Sequence, residues 1–433
     1  MKILLTDSNR WPVAARLAVA FRRMGCDVAV LCPVPGHPAQ SIPAVEHIFG
    51  YDGLSPLESL ARAIVSFQPD IVIPACDRSV AHLHELYAMT CARDGADAPV
   101  AVMIERSLGS PASFPIVSRR CELLHAAESE GIRIPKTMAI ETEADLERWS
   151  AESERPWVMK ADGTWGGKGV RLVSSHSDAL RFFQEFSRPA SIMELGKRLL
   201  LNRNRAWEWA GWKDARHAVI AQTAIDGRPA NCAVVCWQGK VLASLAVEVL
   251  RAREVTGPAT VVRLIPGVEM IAAAEKLASR FHLSGFFGLD FMIEESTGAA
   301  YLIEMNPRCT PPCHLALDEG RNLPAALYAQ LTGEPAPLWR PVIDREIIAY
   351  FPRGVEAVGS ATHNDPQSPV YLDIPVEPAL TRALLHPRSG RSIVGRLCDM
   401  FRQDRKSGAY KFAALRENAQ PRTGAKQTIS TLA

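Results

Sequence analysis

The sequence predicts an α/β domain with a parallel sheet, followed by a larger α+β region built on antiparallel hairpins. Two observations lead to this fold class. Residues 1–115 alternate short apolar runs with segments of helical periodicity, which is typical of parallel strands covered by helices. Farther along, the strand-like runs 288–293 and 301–308 flank a short polar turn, which predicts a hairpin.

The first region has four strand-like runs and one clear early helix. The helix is predicted over residues 13–24 and ends at Gly25. The predicted strands are residues 2–6, 27–32, 71–74 and 100–103. The first turn, residues 7–12, lacks the G-x-G-x-x-G pattern of dinucleotide-binding proteins, so a nicotinamide or flavin cofactor has little support.

Composition narrows the class of protein. Apolar residues make up 47% and charged residues 22% of the 433 residues, as in ordinary globular proteins of two or three domains. The net charge of +2 favours neither nucleic acid nor an acidic surface as a partner. No apolar run is long enough for a membrane helix, and the first residues do not resemble a signal peptide. With ten scattered cysteines, we expect a protein of the reducing cytoplasm.

A glycine-rich loop lies between two predicted strands, residues 157–160 and 170–173. Its central residues are Gly166, Gly167, Lys168 and Gly169. Such a loop lets backbone amides approach phosphate oxygens, although a tight structural turn is the alternative. It is not a Walker A loop, because a strand rather than a helix follows it. Lys160 closes the preceding strand, where it could meet a phosphate or simply reach solvent.

The middle of the chain continues with helix and strand signals. Residues 117–125 are predicted helical, as are 269–282 and 324–331, and strands 230–237 and 240–247 flank a Gln238-Gly239 turn. Residues 196–217 are rich in Arg and carry Trp207, Trp209 and Trp212. These tryptophans either recognise the substrate or pack an insertion. Beyond about residue 340 the pattern weakens.

The hairpin at residues 288–308 carries the most informative side chains. On a strand, Glu304 and Asn306 share one face, while Ile303 and Met305 lie on the other. The segment at residues 295–298 reads as the turn of a hairpin, which would place Asp290 roughly opposite Glu304 on the partner strand. Three oxygen ligands on one face suit magnesium held on nucleotide phosphates, although a merely solvated hairpin face is the alternative.

A second group of possible ligands follows at once. Cys309, Cys313 and His314 are close in sequence, but no second ligand pair at a recognisable spacing accompanies them, so zinc is disfavoured. His314 could touch a substrate near Arg308, although a lone histidine is more often structural.

The order of these motifs resembles the ATP-grasp superfamily of ATP-dependent carboxylate ligases over roughly residues 1–335. The motifs are, in order, a strand that is closed by a lysine, a glycine-rich flap, a hinge segment before an I-x-G turn, an acidic strand and the sequence E-x-N-x-R. The resemblance implies a parallel-sheet domain at 1–115 and a two-lobed ATP-grasp domain at 116–340. The small lobe would span about 135–221 and the large lobe about 222–340, with a C-terminal extension at 341–433.

The resemblance also implies roles for individual residues. Lys160 and Arg308 would be catalytic, with Arg308 facing the reacting phosphate and carboxylate. Asp290, Glu304 and Asn306 would hold Mg²⁺, with Mn²⁺ as an alternative. ATP would be bound by Arg120, Lys160, Gly166, Gly167, Lys168, Gly169, Gln222, Thr223, Ala224 and Ile225.

Two positions depart from the family pattern. Arg119 and Arg120 stand where the first phosphate-binding lysine is expected, and arginine keeps the charge with a different shape. Pro229 stands where many members have a ribose-binding glutamate, with Asp226 as the nearest replacement.

The expected reaction is ATP-dependent activation of a carboxylate as an acylphosphate, which an amine attacks while ADP and phosphate leave. One alternative keeps the fold and uses bicarbonate as the carboxylate. Another is an ATP-binding regulatory module without turnover. The expected partners are small molecules, with no nucleic acid and no membrane, and a homodimer is a family expectation.

Overall fold

A computed structural model describes residues 1–162, 169–187, 218–254, 257–318, 320–337, 343–358 and 368–386. The described residues form three sheets, one parallel, one antiparallel and one of seven strands that is antiparallel except for its last pair. The combination of an α/β domain with α+β lobes agrees with the predicted fold class. Within these residues, every helix is too short or too polar to cross a bilayer.

The first sheet is parallel, as predicted, and its strand order is β3-β2-β1-β4. Its strands are β1 (Lys2–Thr6), β2 (Asp27–Cys32), β3 (His47–Gly50) and β4 (Ile71–Pro74). Its helices are α1 (Pro12–Arg23), α2 (Pro56–Phe67), α3 (Asp77–Asp94) and α4 (Pro99–Leu108). Because the chain adds strands first on one side of β1 and then on the other, the ends of β1 and β4 form a topological switch point.

One predicted strand of this domain is wrong. Residues 100–103 belong to helix α4, which begins with a proline at its first turn. The buried residues Ala101, Ile104 and Ser107 recur every three positions, which places them on one helical face. A short apolar run does not distinguish a strand from a buried helix, and Pro99 was the missed signal.

The small lobe is an antiparallel sheet covered by the helices Glu143–Glu152 and His176–Phe186, and two further helices precede the sheet in the chain. Its strand order is β5-β8-β6-β7. The helix predicted over residues 117–125 is divided between α5 and α6. The elements are α5 (Phe114–Val117), α6 (Arg120–Ser129), β5 (Thr137–Ile140), α7 (Glu143–Glu152), β6 (Trp157–Ala161), β7 (Val170–Val173), α8 (His176–Phe186) and β8 (Val219–Thr223). Trp149, Trp157 and Phe182 fill the core between helices and sheet.

The large lobe is built on a seven-stranded sheet of order β13-β12-β9-β10-β11-β14-β15. The predicted hairpin around Gln238 and Gly239 is confirmed. Its strands are β9 (Gly227–Trp237), β10 (Lys240–Ala252), β11 (Ala259–Leu264), β12 (Gly285–Glu294), β13 (Ala300–Asn306), β14 (Ile347–Tyr350) and β15 (Val370–Asp373). The remaining helices are α9 (Val268–Arg280), α10 (Leu323–Thr332), α11 (Arg353–Val358) and α12 (Pro378–Leu385).

The first domain is joined to the large lobe by packing and by main-chain bonds. Phe21 of α1 meets Phe286 of β12 edge to face, with ring centroids 6.4 Å apart. Gly109, just after α4, pairs with Leu283 in an isolated β-bridge. Gly109 has φ +95°, and a Cβ there would lie 2.1 Å from the carbonyl oxygen of His282. Only glycine therefore permits this close approach.

A buried ionic cluster joins three parts of the chain. Asp373, at the end of β15, lies 2.9 Å from Arg16 of α1 and 3.1 Å from Nε2 of His314. The side chains of all three are less than one-tenth exposed. His314 is therefore part of a buried ionic cluster that joins segments of the fold.

Strands β14 and β15 lie beyond residue 340 and extend the large sheet. The division of the chain at residue 340 stays a prediction.

Candidate active site

Three polar residues lie side by side on neighbouring strands of the large sheet. Asp290 of β12 is opposite Glu304 of β13, as the sequence predicted, and on its other side is opposite Asn231 of β9. Most of the other residues of these strands are apolar and buried. The acidic pair is thus placed by the register of the sheet.

A β-bulge at Ile303 determines which way Glu304 faces. Phe291 is opposite Leu302 and Asp290 is opposite Glu304, so Ile303 has no partner of its own. Leu302 stays in the hydrophobic core, and the extra residue turns Glu304 to the other face. Met305 packs in the core as expected, whereas Ile303 is only half-buried, because the bulge interrupts simple alternation.

The bulge also supplies a hydrogen-bond acceptor. The Nζ of Lys160 donates to the carbonyl oxygen of Ile303 at 3.0 Å. Lys160 is the last but one residue of β6 in the small lobe and is 4% exposed. Burial, and next the charge of Arg120, lower the pKa of Lys160 to about 8. The structure therefore places this lysine directly beside the acidic strand.

A second cation lies between two carboxylates. Arg120, the first residue of α6, contacts Asp162 at 2.6 Å and Glu304 at 2.5 Å. Although burial raises the pKa of Glu304, the charges of Arg120 and Lys160 outweigh it and hold that pKa below its usual value. In contrast, burial and the charge of Glu304 raise the pKa of Asp290.

Two amides hold the Asp290 carboxylate in place. Asn231 donates to one of its oxygens at 2.7 Å, and Asn306 donates to the other at 2.8 Å. The Asn306 side-chain oxygen accepts a hydrogen bond from Arg308 at 2.8 Å. Arg308 also donates to Asp77 of the first domain at 2.8 Å. The site is therefore one connected polar network.

The donor set fits a hard divalent cation. Asp290, Glu304 and Asn306 offer carboxylate and amide oxygens on one face, which are ligands that Mg²⁺ prefers. Burial and, next, the charge of the facing Glu304 raise the pKa of Asp290, and a bound cation would relieve the repulsion between the two carboxylates. Among the described residues, no group of three or more His, Cys, Asp or Glu is placed to hold a metal, so the third ligand here would be the amide of Asn306. Cys309, Cys313 and His314 form no such group either.

The predicted adenine hinge lies at the end of β8, between the two lobes. Gln222 is buried, and its side chain donates to Thr137 at 3.0 Å. Thr223 ends the strand, and Ala224 and Ile225 follow it. Gly169 is described beside β7. Gly166, Gly167 and Lys168, and the tryptophans at 207, 209 and 212, lie outside the described residues.

Sequence reasoning missed three residues of this network. Asn231 is a single amide directly before the apolar run at residues 232–237, and that contrast was a usable signal. Asp162 follows Lys160 by two positions, at the start of the glycine-rich loop. Asp77 is 231 positions from Arg308, and no local pattern predicts that contact.

A family model described as the ATP-grasp domain matches residues 117–312. This chain contains an ATP-grasp domain. The matched range begins just before Arg120 and ends just after Arg308, so it includes both predicted catalytic residues and all three predicted metal ligands. The resemblance that the sequence motifs indicated is confirmed. No curated protein sequence matches the chain.

Solved structures share the fold at low sequence identity. N5-carboxyaminoimidazole synthetase from Staphylococcus aureus with ADP is 14% identical, with 78% of each chain covered and a TM-score of 0.54. Carboxyaminoimidazole ribonucleotide synthase from Aspergillus clavatus with ATP is 17% identical, with the same coverage and TM-score. The biotin carboxylase domain of Hydrogenobacter thermophilus 2-oxoglutarate carboxylase is 14% identical, with 79% of this chain and 71% of that chain covered and a TM-score of 0.52.

These likenesses extend beyond the ATP-grasp domain itself. Coverage of 78% of the chain exceeds the 196 residues matched by the family model, so some of the flanking regions share the fold as well. At 14–17% identity they establish architecture alone. The reaction of this protein depends on the side chains of its own ATP-grasp domain.

Proposed function

We propose that this protein is an ATP-dependent ligase that activates a carboxylate as an acylphosphate and joins it to an amine. The observation that carries the proposal is the acidic pair Asp290 and Glu304, with Lys160, Arg120 and Arg308 around it. Two carboxylates for a metal, beside three cations for phosphate and carboxylate oxygens, suit phosphoryl transfer.

The chain's own residues would act by charge and position. Lys160 and Arg120 would lie against phosphate oxygens, and Arg308 would hold the carboxylate where a phosphoryl group reaches it. Asp290, Glu304 and Asn306 would hold Mg²⁺, which neutralises phosphate charge when bound. Gln222 to Ile225 would flank the adenine.

The proposed reaction has two steps, and in each step one bond forms while another breaks. A carboxylate oxygen forms a bond to the γ-phosphorus while the bond from that phosphorus to the β,γ-bridging oxygen breaks, which releases ADP. The amine nitrogen then bonds to the acyl carbon, the carbon–oxygen bond to phosphate breaks, and the amine proton is lost to solvent.

Bicarbonate is the second candidate for the carboxylate. The Hydrogenobacter structure was described with bicarbonate bound, and its fold resembles this one. The small bicarbonate ion would take the same position relative to Arg308, and the product would be a carbamate instead of an amide.

An ADP-release screen tests both candidates. Purified protein with ATP and MgCl₂ is offered bicarbonate or organic carboxylates, each with and without amines, and ADP and AMP are measured. We expect ADP to rise with one carboxylate class and to fall at least 100-fold in Glu304→Gln. ATP binding without ADP from any pair would favour a regulatory module, and AMP release would contradict an acylphosphate.

Location and assembly are further expectations. The nine cysteines within the described ranges are free thiols, which suits a reducing cytoplasm. A homodimer stays an expectation that sedimentation of the purified protein would test.

A further inference from the structure

Arg308, two residues after β13, is held both by its own segment and by the first domain. Its Nε donates to Asp77 at 2.8 Å, one terminal nitrogen donates to the Cys309 carbonyl at 3.1 Å, and the other donates to Asn306 at 2.8 Å. The guanidinium also lies over the indole of Trp11, 5.5 Å from the ring centroid. Asp77 and Trp11 both belong to the first domain.

These two residues come from the switch point of the parallel sheet. Trp11 lies in the loop after β1, and Asp77 begins α3 just after β4. The backbone is joined at the same place, because the N–H of Cys309 donates to the carbonyl of Pro74 at 3.2 Å. The turn that carries Arg308 therefore rests on the carboxyl end of β4.

The loop that carries Trp11 is itself fixed. The buried carboxylate of Asp7 accepts hydrogen bonds from the backbone N–H groups of Asn9 at 2.8 Å and Trp11 at 3.2 Å. Nε2 of His37 lies 3.1 Å from the same carboxylate. Asp7 is 1% exposed, so the loop is anchored in the interior of the first domain.

Arg308 keeps donors for a ligand. A guanidinium has five N–H groups, and within the described residues three of them are used, by Asp77, Cys309 and Asn306. Two remain, one on each terminal nitrogen. Such a pair matches the two oxygens of a carboxylate or of a phosphoryl group.

We propose that Asp77 and Trp11 are positioning residues, through which the first domain sets the orientation of Arg308 for the reacting oxyanion. This inference rests on the proposed function, because Asp77 and Trp11 would orient Arg308, which acts in the proposed reaction. The alternative is that the Asp77–Arg308 pair only joins the domains. The Gly109 bridge and the Phe21–Phe286 contact already join them without any charge.

A double-mutant cycle separates positioning from adhesion. We expect Asp77→Ala to lower kcat by about 10- to 100-fold, because a small misplacement of a catalytic group costs about that much. The KM for ATP should change less than about twofold. In an Arg308→Ala background, Asp77→Ala should then change kcat by less than about twofold, since nothing remains to be positioned.

Conservative variants of Asp77 and Trp11, and a control on the same helix, test whether the loss of kcat is specific to the contact with Arg308. Asp77→Asn keeps an acceptor for Nε and should recover part of kcat, and Trp11→Phe should recover more activity than Trp11→Leu. Asp94→Ala is the matched control, because Asp94 ends the same helix and, within the described part of the chain, pairs with the exposed Arg93. Equal losses from Asp77→Ala with and without Arg308, or wild-type kcat with a lowered Tm, would overturn the inference.

A binding measurement keeps the two proposals distinguishable. Inorganic phosphate is titrated calorimetrically into protein saturated with Mg²⁺ and ADP. We expect Asp77→Ala to weaken phosphate binding about tenfold without changing ADP binding. ADP release by the wild type with unchanged phosphate binding in the variant would overturn only the inference. Absence of ADP from every substrate pair would overturn the proposed function, and the phosphate titration would still decide the role of Asp77.

Discussion

Asp290 and Glu304 lie directly opposite each other on neighbouring strands, and their surroundings shift their pKa values in opposite directions. Burial and the facing Glu304 charge raise the pKa of Asp290. Arg120 and Lys160 outweigh burial at Glu304 and lower its pKa. The pair thus combines one carboxylate stabilised by cations with one destabilised by its neighbour, an arrangement that an added divalent cation would stabilise.

Magnesium should therefore stabilise the folded protein. With ADP present, we expect MgCl₂ to raise Tm by a few degrees in the wild type, because ligands that bind only the folded state stabilise it by mass action. Glu304→Gln should lose most of that increase. Glu294→Gln, at the far end of β12, serves as the control and should keep it. An undiminished magnesium effect in Glu304→Gln would contradict the assigned metal site.

Lys160 should impose an alkaline limit on the reaction. Its pKa is lowered to about 8, and only its protonated form would bind phosphate. The value of kcat/KM for ATP reports the free enzyme, so it should be flat below pH 8 and fall about tenfold per pH unit above. Lys160→Arg should be slower but lack this limb, because arginine stays protonated. A wild-type profile that is flat to pH 9.5 would exclude the role.

Arg120 should matter for both folding and ATP binding. Arg120→Ala would leave Asp162 and Glu304 without their shared cation. Because the pair is only partly shielded from solvent, we expect a loss of about 1–3 kcal/mol in the free energy of unfolding. The KM for ATP should rise at least tenfold. Urea titration measures the first effect, and ADP release measures the second.

The neighbouring arginine provides the comparison. Arg119 is 65% exposed in its side chain and pairs with Glu122 on the surface. Arg119→Ala should change the free energy of unfolding by less than about 0.5 kcal/mol. If Arg119→Ala raised the KM for ATP as much as Arg120→Ala, the choice of phosphate-binding arginine would be wrong.

Gly109 should control how the first domain joins the large lobe. Its Cβ would lie 2.1 Å from a carbonyl oxygen, so Gly109→Ala should cost about 2 kcal/mol or more and lower kcat. Gly95→Ala is the control, since Gly95 also has a positive φ of +90° but has nothing within 4 Å of an added Cβ. Thermal unfolding of both variants measures the difference. Equal losses would mean that backbone strain alone decides.

The sequence pattern predicted features that depend on residues close together in the chain. The short turn at residues 295–298 was enough to place Asp290 roughly opposite Glu304, but their direct pairing depends on the bulge at Ile303, which alternation does not predict. The same approach gave the wrong element at residues 100–103, since a short apolar run fits a helix as well as a strand. The contacts of Asp77 and Asn231 depend on how distant segments pack, and neither periodicity nor spacing carries that information.

The bulge at Ile303 makes the site depend on the number of residues in β13 as well as on their identity. If β13 paired regularly without the bulge, Ile303 would lie opposite Asp290, and Glu304 would be directed toward the core face that Leu302 occupies. Deleting Ile303 would keep Glu304 opposite Asp290 but would remove the carbonyl oxygen that accepts the hydrogen bond from Lys160. In comparing relatives of this protein, the length of the strand before Glu304 should be read as part of the active-site motif.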